Sequence, residues 1–215
     1  MRAEEEFKIY LFPIPGSVSF PNTTVPLHVF EPRYRALVKD ALRDQVRIGV
    51  CHTEGVISPA KPHDSLEESL NSNQATYEPC PVFSAGFAEI IDITADGRLL
   101  AEVKMDGRYE MIEEVQTLPY RIVKCVRFDD LAPESDERSE QTKNLRTQIN
   151  EHLLGMTEEL RDELGKDLSD EDYSFKIFQT IRFEPDLMQE VLEMQTPADR
   201  LRMLYEILSA EPDEE

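Results

Sequence analysis

The sequence is short of bases. Against 44 acidic residues it carries only 23 lysines and arginines, a formal charge of -21 over 215 residues. That balance repels nucleic acid unless a local basic stripe offsets it. The densest basic stretch, Arg33, Arg35, Lys39 and Arg43, is broken by Asp40 and Asp44, so RNA and DNA are disfavoured as partners. Cysteine is scarce as well. Cys51, Cys80 and Cys125 are odd in number, widely spaced and free of any Cys-x-x-Cys pairing, the usage expected of a reduced, cytoplasmic chain. No apolar run reaches the roughly 18 residues that suggest a membrane span. Met1-Arg2-Ala3-Glu4-Glu5-Glu6 is acidic where a secretory leader is basic and then apolar. His28, His52, His63 and His152 are scattered, with neither His-Glu-x-x-His nor zinc-type Cys/His spacing. The adjacent Cys51-His52 pair makes a poor nucleophile and base, because neighbouring strand residues point to opposite faces. No Gly-x-Ser-x-Gly elbow is present. These gaps leave no catalytic constellation, no metal site and no cofactor to expect.

What is present divides in two. Residues 1–127 hold 19 acids and 14 bases, whereas residues 128–215 hold 25 acids and 9 bases. The residue types change at the same place, from short Val, Ile and Phe runs to long stretches of Leu, Glu, Arg and Met. The spacing predicts a β-rich subdomain over 7–128, a linker over 129–137 and a helical bundle over 138–210. A chain of this length buries roughly 70% of its unfolded surface and needs no disulfide or metal to fold.

In the first part Lys8–Phe12, Arg47–Cys51, Phe83–Ile93, Leu99–Met105, Arg108–Val115 and Tyr120–Phe128 read as strands. Asp96-Gly97 and Asp106-Gly107 give two hairpin signals between them. One helix is expected over Glu31–Arg43, on the stripe Tyr34, Leu37, Val38, Ala41 and Leu42. From Thr53 to Pro81 periodicity fails, and the segment reads as a long mobile loop with at most one helical turn at Leu66–Leu70. In the second part Leu145, Ile149, Leu153, Met156, Leu160 and Leu164 form one helical stripe. Ser169 with Asp172, Pro185, and Thr196-Pro197-Ala198-Asp199 mark three further helix starts.

Candidate contact residues are Phe12, Phe20, Phe30 and Tyr34, aromatics that either line a binding groove or close the core. Glu31 and Arg33 join them, read as a carboxylate at the helix start and its basic neighbour. Leu66, Leu70 and Tyr77 on the long loop offer a second contact surface. The acidic helices favour basic partners or basic stretches of a client chain.

One segment carries more specific information. Leu11-Phe12-Pro13-Ile14-Pro15-Gly16-Ser17-Val18-Ser19-Phe20-Pro21, followed by Val25-Pro26-Leu27-His28-Val29-Phe30-Glu31-Pro32-Arg33-Tyr34, resembles the opening of the Lon protease N-terminal, substrate-binding domain. It departs from that pattern at Ser19, usually apolar, and Val25, usually Leu. Ser84–Ile90, Asp106–Ile112 and Val191–Leu201 are similar to later family motifs, so the resemblance runs from about Tyr10 to Leu208. It implies an α+β protein: a PUA-like six-stranded pseudo-barrel with one helix, followed by a C-terminal helical bundle. It implies binding of unfolded or degron-bearing polypeptide, or docking of a protein partner, in protein quality control. The phosphate-cradling Gly-x-x-x-x-Gly-Lys-Ser/Thr loop of the Lon ATPase is absent, only 8 glycines being present. The acidic tail stands where that ATPase begins, so a stand-alone, non-catalytic module is expected.

Overall fold

The computed structural model describes residues 5–59, 72–132, 136–153, 164, 168–181 and 183–210. The chain divides after Phe128 into two compact units.

The first unit contains β1 (Phe7–Pro13), β2 (Thr24–Val29), α1 (Pro32–Asp44), β3 (Arg47–Cys51), β4 (Thr53–Ser58), β5 (Thr76–Pro79), β6 (Val82–Ile93), β7 (Leu99–Gln116) and β8 (Arg121–Arg127). Six strands form one sheet in the order β2-β7-β6-β3-β1-β8, and β7 also pairs with β8. That last pairing closes β7, β6, β3, β1 and β8 into a ring. β7 can do this because it is 18 residues long: its first half serves β2 and β6, its second half β8. β1 and β3 run parallel, which requires a crossover between them, and α1 supplies it.

β1 is apolar on both faces because both are covered. Tyr10 and Phe12 join Leu27, Val29, Leu99 and Val103 in a core beneath α1, against which Tyr34, Leu37, Val38 and Ala41 pack. Ile9 and Leu11 point the other way, into a second cluster with Phe83, Tyr109, Val123 and Cys125. The expected pseudo-barrel is thus observed, with one helix among the described residues of this unit.

Three details differ from the sequence expectation. The stretch expected as a loop contains an antiparallel hairpin, β4 with β5. Its periodicity is hidden because β4 is exposed almost throughout, so no alternation marks a buried face. Leu66 and Leu70, with the turn expected there, lie outside the described residues. Asp106-Gly107 is no hairpin turn; it lies inside β7 at a register shift opposite Ala85 and Gly86. The Asp106 carboxylate accepts from Arg47 Nε at 2.7 Å and from the Tyr109 hydroxyl at 2.8 Å. A Cβ on Gly107 would stand 2.1 Å from the Arg127 guanidinium, so close packing explains this glycine. β2 is the third difference. Pro26 suggests a turn, but β2 lies at the end of the sheet, where a missing N–H is tolerated. The turn at Thr94–Gly97 does form, with Gly97 at φ 83°.

The second unit contains α2 (Asp136–His152), α3 (Asp170–Thr180), α4 (Pro185–Glu193) and α5 (Pro197–Ser209). Two starts are capped as their sequences imply. Ser169 Oγ accepts from Asp172 N–H at 3.0 Å and Thr196 Oγ1 from Asp199 N–H at 3.1 Å. Leu145, Ile149, Tyr173, Phe178, Val191, Leu201 and Leu204 are buried; Met156 and Leu160 of the expected stripe lie outside the described residues. At the centre sits Arg200, fully buried. Its guanidinium grips the Asp130 carboxylate with two bonds, Nη1 to Oδ1 being 2.8 Å. It also donates to Met194 O and Ser174 Oγ, and stacks 3.9 Å from the Phe175 ring. Asp130 belongs to the segment expected as a linker, and Leu131 N–H donates to Gln195 O. That end of the segment is held by the helices.

Candidate functional site

The residues at the entry to α1 fold back on β5. Pro32 starts the helix and Glu31 is its N-cap, yet the Glu31 side chain makes no capping bond. Its carboxylate instead accepts from Arg33 Nε and from Gln74 N–H, both at 2.9 Å. Arg33 then donates to Thr76 Oγ1 at 3.2 Å and Ala75 O at 2.7 Å. Its guanidinium lies 4.6 Å over the Tyr34 ring, which stacks on Phe12 at 4.0 Å between centroids. The layered order is Arg33, Tyr34, Phe12, and it ties the β4–β5 hairpin to the barrel.

A cavity of about 250 Å³ opens beside this stack. Arg33, Tyr34 and Tyr77 line it together with Ile57, Leu118 and Arg121. The Arg121 guanidinium pairs with Glu114 and donates to Tyr77 O at 3.3 Å. Both arginines are neutralised locally, which leaves a cleft whose free surface is apolar and aromatic. Leu118 is 79% exposed and Ile57 52% exposed at its lip. Burial pushes the Tyr34 hydroxyl up to about 12. Tyr120, also lining the cleft, is raised by burial and by its bond to Asp40. Both rings are neutral phenols at physiological pH, suited to apolar contact and hydrogen bonding, not to base chemistry.

The expected contact residues therefore separate. Arg33, Tyr34 and Tyr77 meet at this cleft, with Glu31 bracing Arg33. Phe12 and Phe20 are core residues, 8% and 2% exposed, and their faces are spent on packing. Phe30 is half-buried, edge-on to His28. Leu66 and Leu70 lie outside the described residues. Ile57, Leu118 and Arg121 were missed because Ile57 and the Leu118–Arg121 stretch lie far apart in sequence; the one signal was an apolar Leu118 between Thr117 and Pro119, where a loop is normally polar.

The Cys51-His52 pair is structural. Burial raises the Cys51 thiol well above its ordinary value, and His52 Nδ1 accepts from Gly16 N–H at 2.9 Å. Among the described residues no group of three or more His, Cys, Asp or Glu could hold a metal ion. Nor is any described helix long and apolar enough to cross a membrane.

Comparison with known proteins places this geometry. The family model for the ATP-dependent protease La (LON) substrate-binding domain matches residues 8–210. Lon protease 1 of Herpetosiphon aurantiacus is 26% identical over 130 residues, which is 60% of this chain and 15% of that protein. The chain thus spans a small part of the curated relative's length. Among solved structures, the N-terminal domain of the Mycobacterium avium complex Lon protease superposes with a TM-score of 0.67 at 13% identity, over 95% of this chain and 100% of that one. A Lon N-terminal domain protein from Xanthomonas campestris gives 0.56 at 20% identity, over 92% and 96%.

Proposed function

Because this chain belongs to the Lon substrate-binding domain family, we propose that it is a non-catalytic module that binds unfolded or degron-bearing polypeptide. The observation that carries the reading is the cleft beside Arg33. It is too small for a typical small-molecule site, which occupies roughly 300–1,000 Å³. Its size and lining suit an apolar side chain from a passing segment, packed against the Tyr34 and Tyr77 rings. Leu118 and Ile57 stand exposed at its mouth, where they would cover an inserted side chain. The free, buried cysteines suit a reducing, cytoplasmic setting.

The test is fluorescence anisotropy with a labelled, reduced and alkylated protein that cannot refold. Wild-type chain is expected to bind, and Leu118→Asp to weaken binding by about tenfold, roughly 1.4 kcal/mol. Absence of binding at about 50 µM, an affinity near 6 kcal/mol, would remove this reading. It would favour a dedicated adaptor that docks one folded partner. RNA is the less favoured occupant given the charge of -21; a salt-sensitive RNA complex would reverse that order.

A further inference from the structure

β6 outruns its neighbour. It pairs with β3 only over Ser84–Gly86, so among the described residues Phe87–Ile93 pairs with β7 alone. The other edge of that stretch meets no strand among the described residues. Exposed edges of this kind are templates for an added strand. Most native edges are blunted; beside this one, near Phe87 and Ala88, stands the end of α1.

Two surfaces flank the open edge. On the inner side, Ala41, Leu42, Gln45 and Val46 at the end of α1 face Phe87 and Ala88 across a groove of about 490 Å³, with no charged residue in its lining. On the outer side, Phe87 and Ile91 are 45% and 56% exposed, and the Arg47 guanidinium lies 4.6 Å over one face of Phe87. Between those apolar residues Glu89 stands directly opposite Glu102 of β7. Like charges so placed are unfavourable, and Lys104 reaches Glu89 only at 3.4 Å in an exposed pair. The outer face therefore carries the Glu89 and Glu102 carboxylates, with Lys104 on the first, between apolar flanks, while the inner groove is lined by apolar residues and Gln45.

We propose that the Phe87–Ile90 edge of β6 is a docking site for an extended polypeptide segment that alternates apolar residues with lysine or arginine. The segment adds as a strand beside β6. Successive residues of a strand point to opposite faces, so its apolar side chains enter the groove against Leu42 and Val46. Its basic side chains fall on the outer face, about 5 Å from Glu89. Main-chain bonds supply sequence-tolerant affinity, and the acidic pair selects for positive charge. This rests on the polypeptide-binding reading but assigns it to a surface separate from the Arg33 cleft.

The test uses the full chain and a fluorescent heptapeptide alternating Lys and Leu. Wild type is expected to bind. Glu89→Lys and Leu42→Asp, both at solvent-accessible positions, should each weaken binding by about tenfold. Glu54→Lys, the same charge change on exposed β4, should leave it unaltered, as should Leu118→Asp. A peptide with Glu in place of Lys, and one N-methylated at alternate amides, should fail to bind. The proposal is overturned if the Lys–Leu peptide does not bind, if N-methylation is tolerated, or if Glu54→Lys matches Glu89→Lys. Loss through Leu118→Asp alone also overturns it, yet leaves polypeptide binding at the cleft intact. Failure of the alkylated protein to bind anywhere would remove both.

Discussion

Replacing Arg200 by alanine isolates what one buried charge does for the helical unit. The guanidinium is fully buried and Asp130 nearly so, with side-chain exposures of 0% and 10%. Arg200→Ala leaves the Asp130 carboxylate without its two-pronged partner and strips donors from Ser174 Oγ and Met194 O. Breaking a buried pair by removing one member costs about 3–5 kcal/mol. The lost stacking on Phe175, at 3.9 Å, adds on the order of 1 kcal/mol. Urea unfolding followed by far-UV circular dichroism should therefore show the helical transition lowered by about 4 kcal/mol. The second arm is the double variant Arg200→Met with Asp130→Leu. With no charge left to desolvate, it should recover most of the loss, since apolar replacement of a buried pair is often neutral or better. A single variant costing under about 1 kcal/mol would place this pair in the surface class and refute the reasoning. So would a double variant no more stable than the single one.

Three further outcomes are expected. Gly86→Ala should cost more than about 3 kcal/mol, because its Cβ would lie 1.7 Å from the backbone oxygen of Lys104; Gly107→Ala, which meets only the end of a flexible arginine, should cost about 1 kcal/mol, and paired thermal melts compare them. Thr196→Ala removes the cap on α5 and should lower stability by about 1 kcal/mol in chemical denaturation, with Thr196→Ser restoring most of it. Tyr10 and Tyr34 titrate near 12 in the fold, above the unfolded phenol at about 10. Because the folded values are raised, the stability they carry is whole below pH 10 and is lost as pH climbs toward 12; ultraviolet titration should show these tyrosines ionising near pH 12, above the free phenol.

Sequence pattern revealed elements wherever burial imposed it. β1, β3 and β6 declared themselves as apolar runs because both faces or one long face are covered, and α3 and α5 through capping side chains whose bonds are local. β4 stayed hidden for the opposite reason: Val56 and Ile57 are neighbours in sequence and both exposed, so no buried face exists to set a period. Asp106-Gly107 misled because the same dipeptide that permits a tight turn also permits a side chain to lie flat against the backbone. At the cleft, Arg33, Tyr34 and Tyr77 could be nominated by type, but their meeting with Leu118 and Arg121 depends on strand pairing across the barrel, which no local window contains.

β7 sets the order in which the barrel can come into being. Its first residues pair with β2 and β6 while its last await β8, and β1 in turn must find both β3 and β8. The ring therefore cannot shut until almost the whole first unit has been synthesised, and before then the outer edge of β1 lies open. Such distant pairings pay their loop entropy before any contact rewards it, and this makes for slow folding.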